Sequence, residues 1–359
     1  MNPPVIGLTM GDPAGVGPEI TVAALADPSL RGLARPLVVA DAGVIERAIQ
    51  AAGLPLEVRR VAGPEDVTGE HDVVHVLDLD NLGDVEFGRV RGEYGAAAVE
   101  SIEVTCALAR EGRIDAVVTA PINKEAIRAG GSGFPGHTEM LGSLFGVPPA
   151  QVVTMFVLEK LRIFFLTRHH PLATAIAQLT TEQVRDGLLR VNELLGELGF
   201  TDPHIALAAL NPHAGENGLI GSEENEILGP AVAAARARGV DAVGPVPADA
   251  VFFQARQGRY DGVLSLYHDQ GHIAAKTVDF FGTVSCTLGL PVLRASVDHG
   301  TAFDIAGKGI ADPGGQVAAM RVAAELAPGV LRVRGRKPAP TPIQSPQHGD
   351  SVTSAGGQQ

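Results

Sequence analysis

Short aliphatic runs alternate with stretches of helical periodicity along most of the chain. Val5–Thr9, Pro36–Ala40, Val73–Leu77, Asp115–Thr119, Arg162–Thr167, Ile205–Leu210 and Gly262–Leu266 are five or six residues long and dominated by Val, Ile, Leu and Ala, which predicts strands. Between them, Gly95–Arg110 and Glu182–Leu198 carry apolar residues at helical spacing. In the second, Val184, Leu188, Val191, Leu195 and Leu198 make one stripe, with Thr181 as its cap and Gly199 as its stop. Strands alternating with helices predict an α/β fold with mainly parallel sheets flanked by helices.

Composition agrees with that pattern. Hydrophobic residues are 45% of the chain, aromatics 4%, and Trp is absent. The core must therefore be aliphatic, as it is where strands are buried on both faces by helices. A length of 359 residues predicts two domains or one bilobed body. From Gly335 the chain turns rich in Pro, Ser, Gly and Gln without periodicity, which predicts a disordered tail over 335–359.

Charge narrows the function. The formal net charge is −13, and the one basic cluster, Arg332–Lys337, reads as a solvated end, so no face displaces counterions from nucleic acid. No apolar run approaches the roughly 20 residues of a membrane span, and the N-terminus has no signal-peptide pattern. Cys106 and Cys286 fit no zinc or redox spacing and read as small buried hydrophobes. The class that survives is a cytoplasmic enzyme acting on small molecules.

Three of the predicted strands end in a histidine. Arg162–Thr167 runs into Arg168-His169-His170-Pro171, Ile205–Leu210 into Asn211-Pro212-His213, and Gly262–Leu266 into Tyr267-His268-Asp269. Ligands of open α/β sheets bind beyond the carboxyl ends of strands, and neutral imidazoles suit divalent ions. Three such ligands leave positions open for substrate, the pattern of a catalytic metal. Either His169 or His170 can be the first of the three, because a loop conceals side-chain direction.

Other signals concern phosphate and cofactor. The turn Met10–Glu19 carries three glycines but neither the dinucleotide fingerprint nor the P-loop spacing, so a structural turn and a ligand loop both remain open. Gly136-His137-Thr138-Glu139 precedes a helical pattern, and amides there can hold a phosphate. Lys276 and Arg294 follow the third histidine and are cations of the kind a phosphorylated substrate needs. The stretch Asp298–Gly309, with His299, Gly300, Thr301 and Asp304, resembles the loop with which isocitrate and isopropylmalate dehydrogenases wrap the adenosine half of NAD or NADP without a Rossmann fingerprint.

With these pieces placed, the chain from about Val5 to about Val330 resembles the 4-hydroxythreonine-4-phosphate dehydrogenase family. The resemblance rests on Gly11–Glu19, Ala120–Lys124, Gly136–Glu139, Asn211–Glu216, Gly244–Asp249, Tyr267–Gly271 and Thr287–Pro291, in that order. It implies a two-domain isocitrate/isopropylmalate dehydrogenase-like architecture, with 1–128 plus 282–334 as a first body carrying the cofactor loop and 129–281 as a second carrying metal and substrate residues. It implies His169, His213 and His268 as metal ligands, and His137, Thr138, Lys276 and Arg294 as substrate contacts. It also implies a homodimer whose site is completed across the interface.

The activity implied is metal-dependent, NAD- or NADP-linked oxidation and decarboxylation of 4-phosphohydroxy-L-threonine to 3-amino-2-oxopropyl phosphate, in pyridoxal phosphate biosynthesis. The ion is Zn²⁺, Mg²⁺, Mn²⁺, Co²⁺ or Ni²⁺. Asp249, Asp269 and Lys276 are the candidates for proton transfer, or for orienting a histidine in the case of the two carboxylates. Ser285 stands where the family usually has Asn, and the Gly271-His272-Ile273 continuation also departs from the vitamin enzymes. Both features resemble the branch acting on 4-phospho-D-threonate or 4-phospho-D-erythronate, which ends at dihydroxyacetone phosphate. Readings from other classes are a metal hydrolase or aldolase, which has no need of the Asp298–Gly309 loop, a phosphate acetyltransferase-like enzyme, which does not require a three-histidine metal site, and a non-catalytic phosphosugar-binding module, which tolerates loss of the metal.

Overall fold

A computed structural model describes residues 3–333; the tail expected from Gly335, and the side chains of the Arg332–Lys337 cluster, lie outside the described residues. The chain forms strands β1 (Val5–Thr9), β2 (Arg35–Ala40), β3 (Glu57–Arg60), β4 (Val73–Asp78), β5 (Ala116–Thr119), β6 (Val153–Leu158), β7 (Leu161–Phe165), β8 (Ile205–Ala208), β9 (Ala242–Val246), β10 (Gly262–Ser265), β11 (Val284–Leu288) and β12 (Leu293–Ser296). Helices are α1 (Gly17–Ala26), α2 (Ala42–Ala52), α3 (Gly92–Arg110), α4 (Lys124–Ala129), α5 (His137–Phe145), α6 (Leu172–Ala177), α7 (Thr181–Glu197), α8 (Gly229–Arg236), α9 (Ala248–Arg256), α10 (His268–Val278) and α11 (Gly314–Val333).

All the strands join one 12-stranded sheet in the order β3-β4-β2-β1-β5-β12-β11-β6-β7-β10-β8-β9. It is mainly parallel, as the alternation of strands and helices predicts. The three antiparallel pairings, β12 with β11, β11 with β6 and β6 with β7, are consecutive. An odd number of reversals turns the parallel block β7-β10-β8-β9 against the parallel block β3-β4-β2-β1-β5-β12. The carboxyl ends of the two blocks therefore open at opposite edges of the sheet.

Each of the seven predicted strands is present, shifted by no more than two residues at either end. Five others were not anticipated. β3 is Glu-Val-Arg-Arg on the sheet edge and mostly exposed, so it has no apolar signature. β9 holds Gly244-Pro245, which only an edge strand tolerates. β11 and β12 carry Ser285, Thr287, Arg294 and Ser296 inward on a polar face, and β6 is the hairpin partner of β7. The cap of α7 is Thr180, one residue before the expected Thr181: its hydroxyl accepts the Gln183 N–H at 3.1 Å, while the Thr181 hydroxyl donates to the Ile227 carbonyl. Burial bears out the reading of the cysteines: both are free, and desolvation pushes their thiols up to about 12.

The core is aliphatic on both faces of the sheet, with Ile6, Leu8, Val38 and Val118 in one block and Leu188, Leu195, Leu207 and Leu264 in the other. One contact bears directly on the site. α3 carries Gly92 and Gly95 against the backbone of α4 and Gly130, and a Cβ at Gly95 would overlap the Ala126 carbonyl. That close approach lets α4 begin at Lys124, immediately after the strand-end segment Ala120–Asn123. Gly95→Ala should therefore destabilise the protein by about 1–3 kcal/mol, the usual range for overpacking. Denaturant unfolding checks it; an unchanged midpoint would show that α4 moves freely.

Candidate active site

β7, β10 and β8 are adjacent and parallel, so the histidines that follow them lie side by side along one sheet edge. The rings of His169 and His268 are 5.9 Å apart between centroids. His213 follows β8 in a turn whose residues 213–217 all have positive φ, between 43° and 77°. Left-handed backbone costs roughly 1–2 kcal/mol per non-glycine residue, so this turn must be held. Buried Glu224 holds it, accepting the N–H groups of Leu210 and Asn211 at 2.9 and 2.7 Å and the Asn211 side-chain amide at 2.7 Å.

Two of the three histidines have a carboxylate on one ring nitrogen. His213 Nδ1 lies 2.7 Å from Glu216, and His268 Nδ1 lies 2.6 Å from Asp269. An Nδ1–H donating to a carboxylate fixes the tautomer and leaves the Nε2 lone pair for a metal. The hydrogen bond with Glu216 holds His213 above the usual imidazole range, and the charges of Glu216 and then Asp249 add to it. Asp269 is thus bonded to the His268 ring, and Asp249 is a charge near His213. Glu216 was quoted in a motif but not assigned a role. His169 and His170 are both exposed. Among the described residues no group of three or more His, Cys, Asp or Glu side chains closes into a metal site within one chain.

A second feature lies on one face of β5, β12 and β11. Residues directly opposite in a sheet point the same way, and Ser296 faces Thr119 on one side and Ser285 on the other, while Arg294 faces Thr287. Arg294 is buried; its guanidinium donates to Thr119 Oγ1 at 3.0 and 2.6 Å and to Thr287 Oγ1 at 3.2 Å. No carboxylate forms an ion pair with it among the described residues. Burial lowers Arg294 only to about 10, so it stays a cation at neutral pH.

Arg294 lines a cavity of about 370 Å³ with Thr119, Lys124, Gly136, His137, Ser296 and the segment Asp298–Gly300. α5 starts at His137 after Gly136, with no side-chain cap on its first amides. His137 Nε2 is enclosed without a partner, and burial, aided by Arg294, pushes the ring well below the usual imidazole range. A neutral imidazole, free helix amides and an unpaired guanidinium together suit an anionic ligand. Lys124 is the cation that residue-by-residue reading missed, although it ends the quoted Ala120–Lys124 motif.

α10 connects the two features. His268, His272 and Lys276 recur every four residues and so share a face. His268 and His272 stack at 3.5 Å, and His272 packs against Phe156, which faces Ser285 across β11. At the far end Lys276 forms an ion pair with Asp298, so this expected substrate contact is engaged by the loop after β12. Eight residues at 1.5 Å each separate His268 from Lys276 by about 12 Å.

The Asp298–Gly309 loop forms the remaining wall. Its Thr301 carbonyl accepts the Val16 N–H at 2.9 Å, Asp304 is exposed, and half-buried His299 lines the cavity with Gly300. The Met10–Glu19 turn beneath it spends several of its amides on structure. Its Ala14 N–H donates to Asp12 Oδ1, Gly15 N–H to the Asp12 carbonyl and Val16 N–H to Thr301, and Pro13 and Pro18 have none to offer.

Comparison with known proteins places this geometry. Residues 32–323 match the family model described as pyridoxal phosphate biosynthetic protein PdxA. A D-threonate 4-phosphate dehydrogenase from Cupriavidus necator is 47% identical over 326 residues, 90% of this chain and 97% of that protein. A crystal structure of a 4-hydroxythreonine-4-phosphate dehydrogenase from Burkholderia phymatum is 45% identical with a TM-score of 0.80, over 90% of this chain and 98% of that one. A 4-hydroxythreonine-4-phosphate dehydrogenase structure from Klebsiella pneumoniae is 39% identical with a TM-score of 0.82, over the same shares.

Asp12 gives the turn a pH signature. Burial, partly offset by the Ala14 N–H, raises its carboxyl from 3.8 to about 6, and Oδ2 has no partner. A raised folded pKa means the folded state binds more protons than the unfolded one between pH 4 and 6, so this group costs stability as pH rises through that window. Asp12→Asn, which keeps the acceptor for Ala14, should gain on the order of 2–3 kcal/mol relative to wild type between pH 4 and pH 8. Denaturant curves of the two proteins at both pH values test it; a difference independent of pH would contradict it.

Proposed function

Since the chain belongs to the PdxA family and is a dehydrogenase of that type, we propose that it oxidises and decarboxylates a 4-phosphorylated four-carbon hydroxy acid, D-threonate 4-phosphate before its amino counterpart. The observation that carries this reading is the unpaired buried Arg294 in a cavity shared with His137 and Lys124. An uncompensated buried cation costs several kcal/mol, and a phosphorylated acid supplies the missing negative charge.

Arg294, Lys124, His137, Thr138 and the first amides of α5 hold the anionic groups. When bound, the dinucleotide takes up the hydride, and a divalent ion polarises the reacting hydroxyl and the carboxylate that departs as CO₂. His169, His213 and His268 would hold the ion, with Glu216 and Asp269 fixing two of the rings. Asp249 is the carboxylate available to take the hydroxyl proton. His299, Gly300, Thr301 and Asp304 would face the dinucleotide, NAD or NADP. Zn²⁺, Mg²⁺, Mn²⁺, Co²⁺ and Ni²⁺ all suit this donor set.

The histidine edge and the anion cavity open at opposite sheet edges, bridged by α10. A homodimer in which a second copy brings its edge to this cavity would assemble one site from both. Exposed Leu219, Ile220, Phe253 and Ile273 stand near the histidine turns as apolar surface for it. The same reading keeps 1–128 plus 282–334 and 129–281 as two bodies and a cytoplasmic location; among the described residues no helix is long and apolar enough to cross a membrane.

Ser285 favours the hydroxy acid. It faces Ser296 and Phe156, between the Arg294 cavity and α10, and a hydroxyl there exchanges hydrogen bonds with a substrate hydroxyl more readily than it balances an ammonium charge. The amino substrate, 4-phosphohydroxy-L-threonine, is the second reading, supported by the names of the structures 45% and 39% identical.

Two outcomes follow. Dinucleotide reduction with D-threonate 4-phosphate should exceed that with 4-phosphohydroxy-L-threonine by about tenfold or more in kcat/KM, and Ser285→Asn should narrow the gap. The reverse preference would place the enzyme in pyridoxal phosphate synthesis. Glu216→Gln and Asp269→Asn should each weaken divalent-ion binding by about 10–100-fold in calorimetric titration; unchanged affinity would remove His213 and His268 from the ligand set.

A further inference from the structure

Glu19 sits in the first turn of α1 with its side chain buried, 288 and 290 residues from the two groups it binds. Its Oε2 accepts the Gly309 N–H at 2.8 Å, and its Oε1 accepts the Gly307 N–H. Gly307 and Gly309 both have positive φ, 80° and 65°. Both oxygens of one carboxylate thus hold two amides across the end of the Asp298–Gly309 loop. Hydrogen bonds to an ionised acceptor are roughly twice as strong as neutral ones.

Other contacts seat the same loop on the same support. Val16 N–H donates to the Thr301 carbonyl. Val16 and Ile20 pack with Val297 and Ala306, and Ala302 and Ile305 join them. A Cβ at Gly15 would come within 2.8 Å of the Thr301 carbonyl. Within the Gly11–Glu19 motif, the Ala14 and Gly15 amides are thus turned to Asp12, the Val16 amide to this loop, and the long acidic side chain of Glu19 to the loop's far end.

We propose that Glu19 is a positioning residue for dinucleotide binding: it clamps Gly307 and Gly309 so that His299–Asp304 is held in its binding shape before the cofactor arrives. This rests on the reading that the Asp298–Gly309 loop takes the dinucleotide. A loop already ordered does not lose its conformational freedom on binding, so the clamp acts on cofactor affinity.

The test uses the full chain and two variants, Glu19→Gln, which keeps one acceptor, and Glu19→Ala, which keeps none. Hydrogen exchange at the Gly307 and Gly309 amides reads the clamp without any ligand. Fluorescence titration with NADH and NADPH, well below the unfolding temperature, reads affinity. Both variants should exchange faster, and Kd should rise about threefold for Gln and about tenfold for Ala, with divalent-ion affinity unchanged. Should Ala fail to fold, the Gln variant decides alone. Unchanged exchange, or faster exchange with an unchanged Kd beside a wild type that binds, would overturn the proposal. A wild type that binds neither dinucleotide would sink the underlying reading of the loop, while the exchange data would still settle the clamp.

Discussion

A buried guanidinium without a carboxylate is the constraint on which the site turns. Arg294 lies under β5, β12 and β11 with two threonine hydroxyls as its partners. Hydroxyls solvate a cation but do not neutralise it, and the interior magnifies what is left. Everything around the charge answers to that. His137 is kept neutral, the first amides of α5 have no side-chain cap, and Lys124 adds a second cation to the same cavity. The nearest acidic partner in the neighbourhood, Asp298, pairs with Lys276. The arrangement suits a receptor whose anionic ligand completes it.

The sheet decides what can reach that receptor. Three consecutive antiparallel pairings send the two parallel blocks in opposite directions, so the strand-end histidines and the Asp298–Gly309 loop face away from each other within one chain. α10 is the strut between them, with His268 at one end and the Lys276–Asp298 pair at the other. Strain sits at the histidine edge, in the left-handed turn pinned by Glu224, and support sits at the loop, on the Gly11–Glu19 turn. Neither is a property of a single residue; each is a polar side chain placed to satisfy backbone that regular structure leaves unpaired.

How much of this could be read from the chain differs by element. β1, β8 and β10 are fully buried and built mostly of Val, Ile, Leu, Ala and Gly, so they were visible. β11 and β12 were not, because Val-Ser-Cys-Thr-Leu and Leu-Arg-Ala-Ser turn their polar residues to a cavity and hydropathy averages the signal away. The histidines were visible as strand-end residues, and their shared edge follows from β7, β10 and β8 being neighbours. Glu216 as partner of His213 was not, since a left-handed turn cannot be inferred from spacing, and the unpaired state of Arg294 needs coordinates to see. At Met10–Glu19 the internal bonds of the Ala14, Gly15 and Val16 amides likewise need coordinates to see.

The most direct test is whether an anion balances Arg294. D-Threonate 4-phosphate would be titrated calorimetrically, with a divalent ion present and no dinucleotide, into wild type, Arg294→Lys and Arg294→Gln. Loss of a buried, charge-paired group predicts affinity lower by about 100-fold or more in Arg294→Gln, with Arg294→Lys between. Equal affinity in all three proteins would mean that the ligand's charge lies elsewhere and that the buried guanidinium is structural.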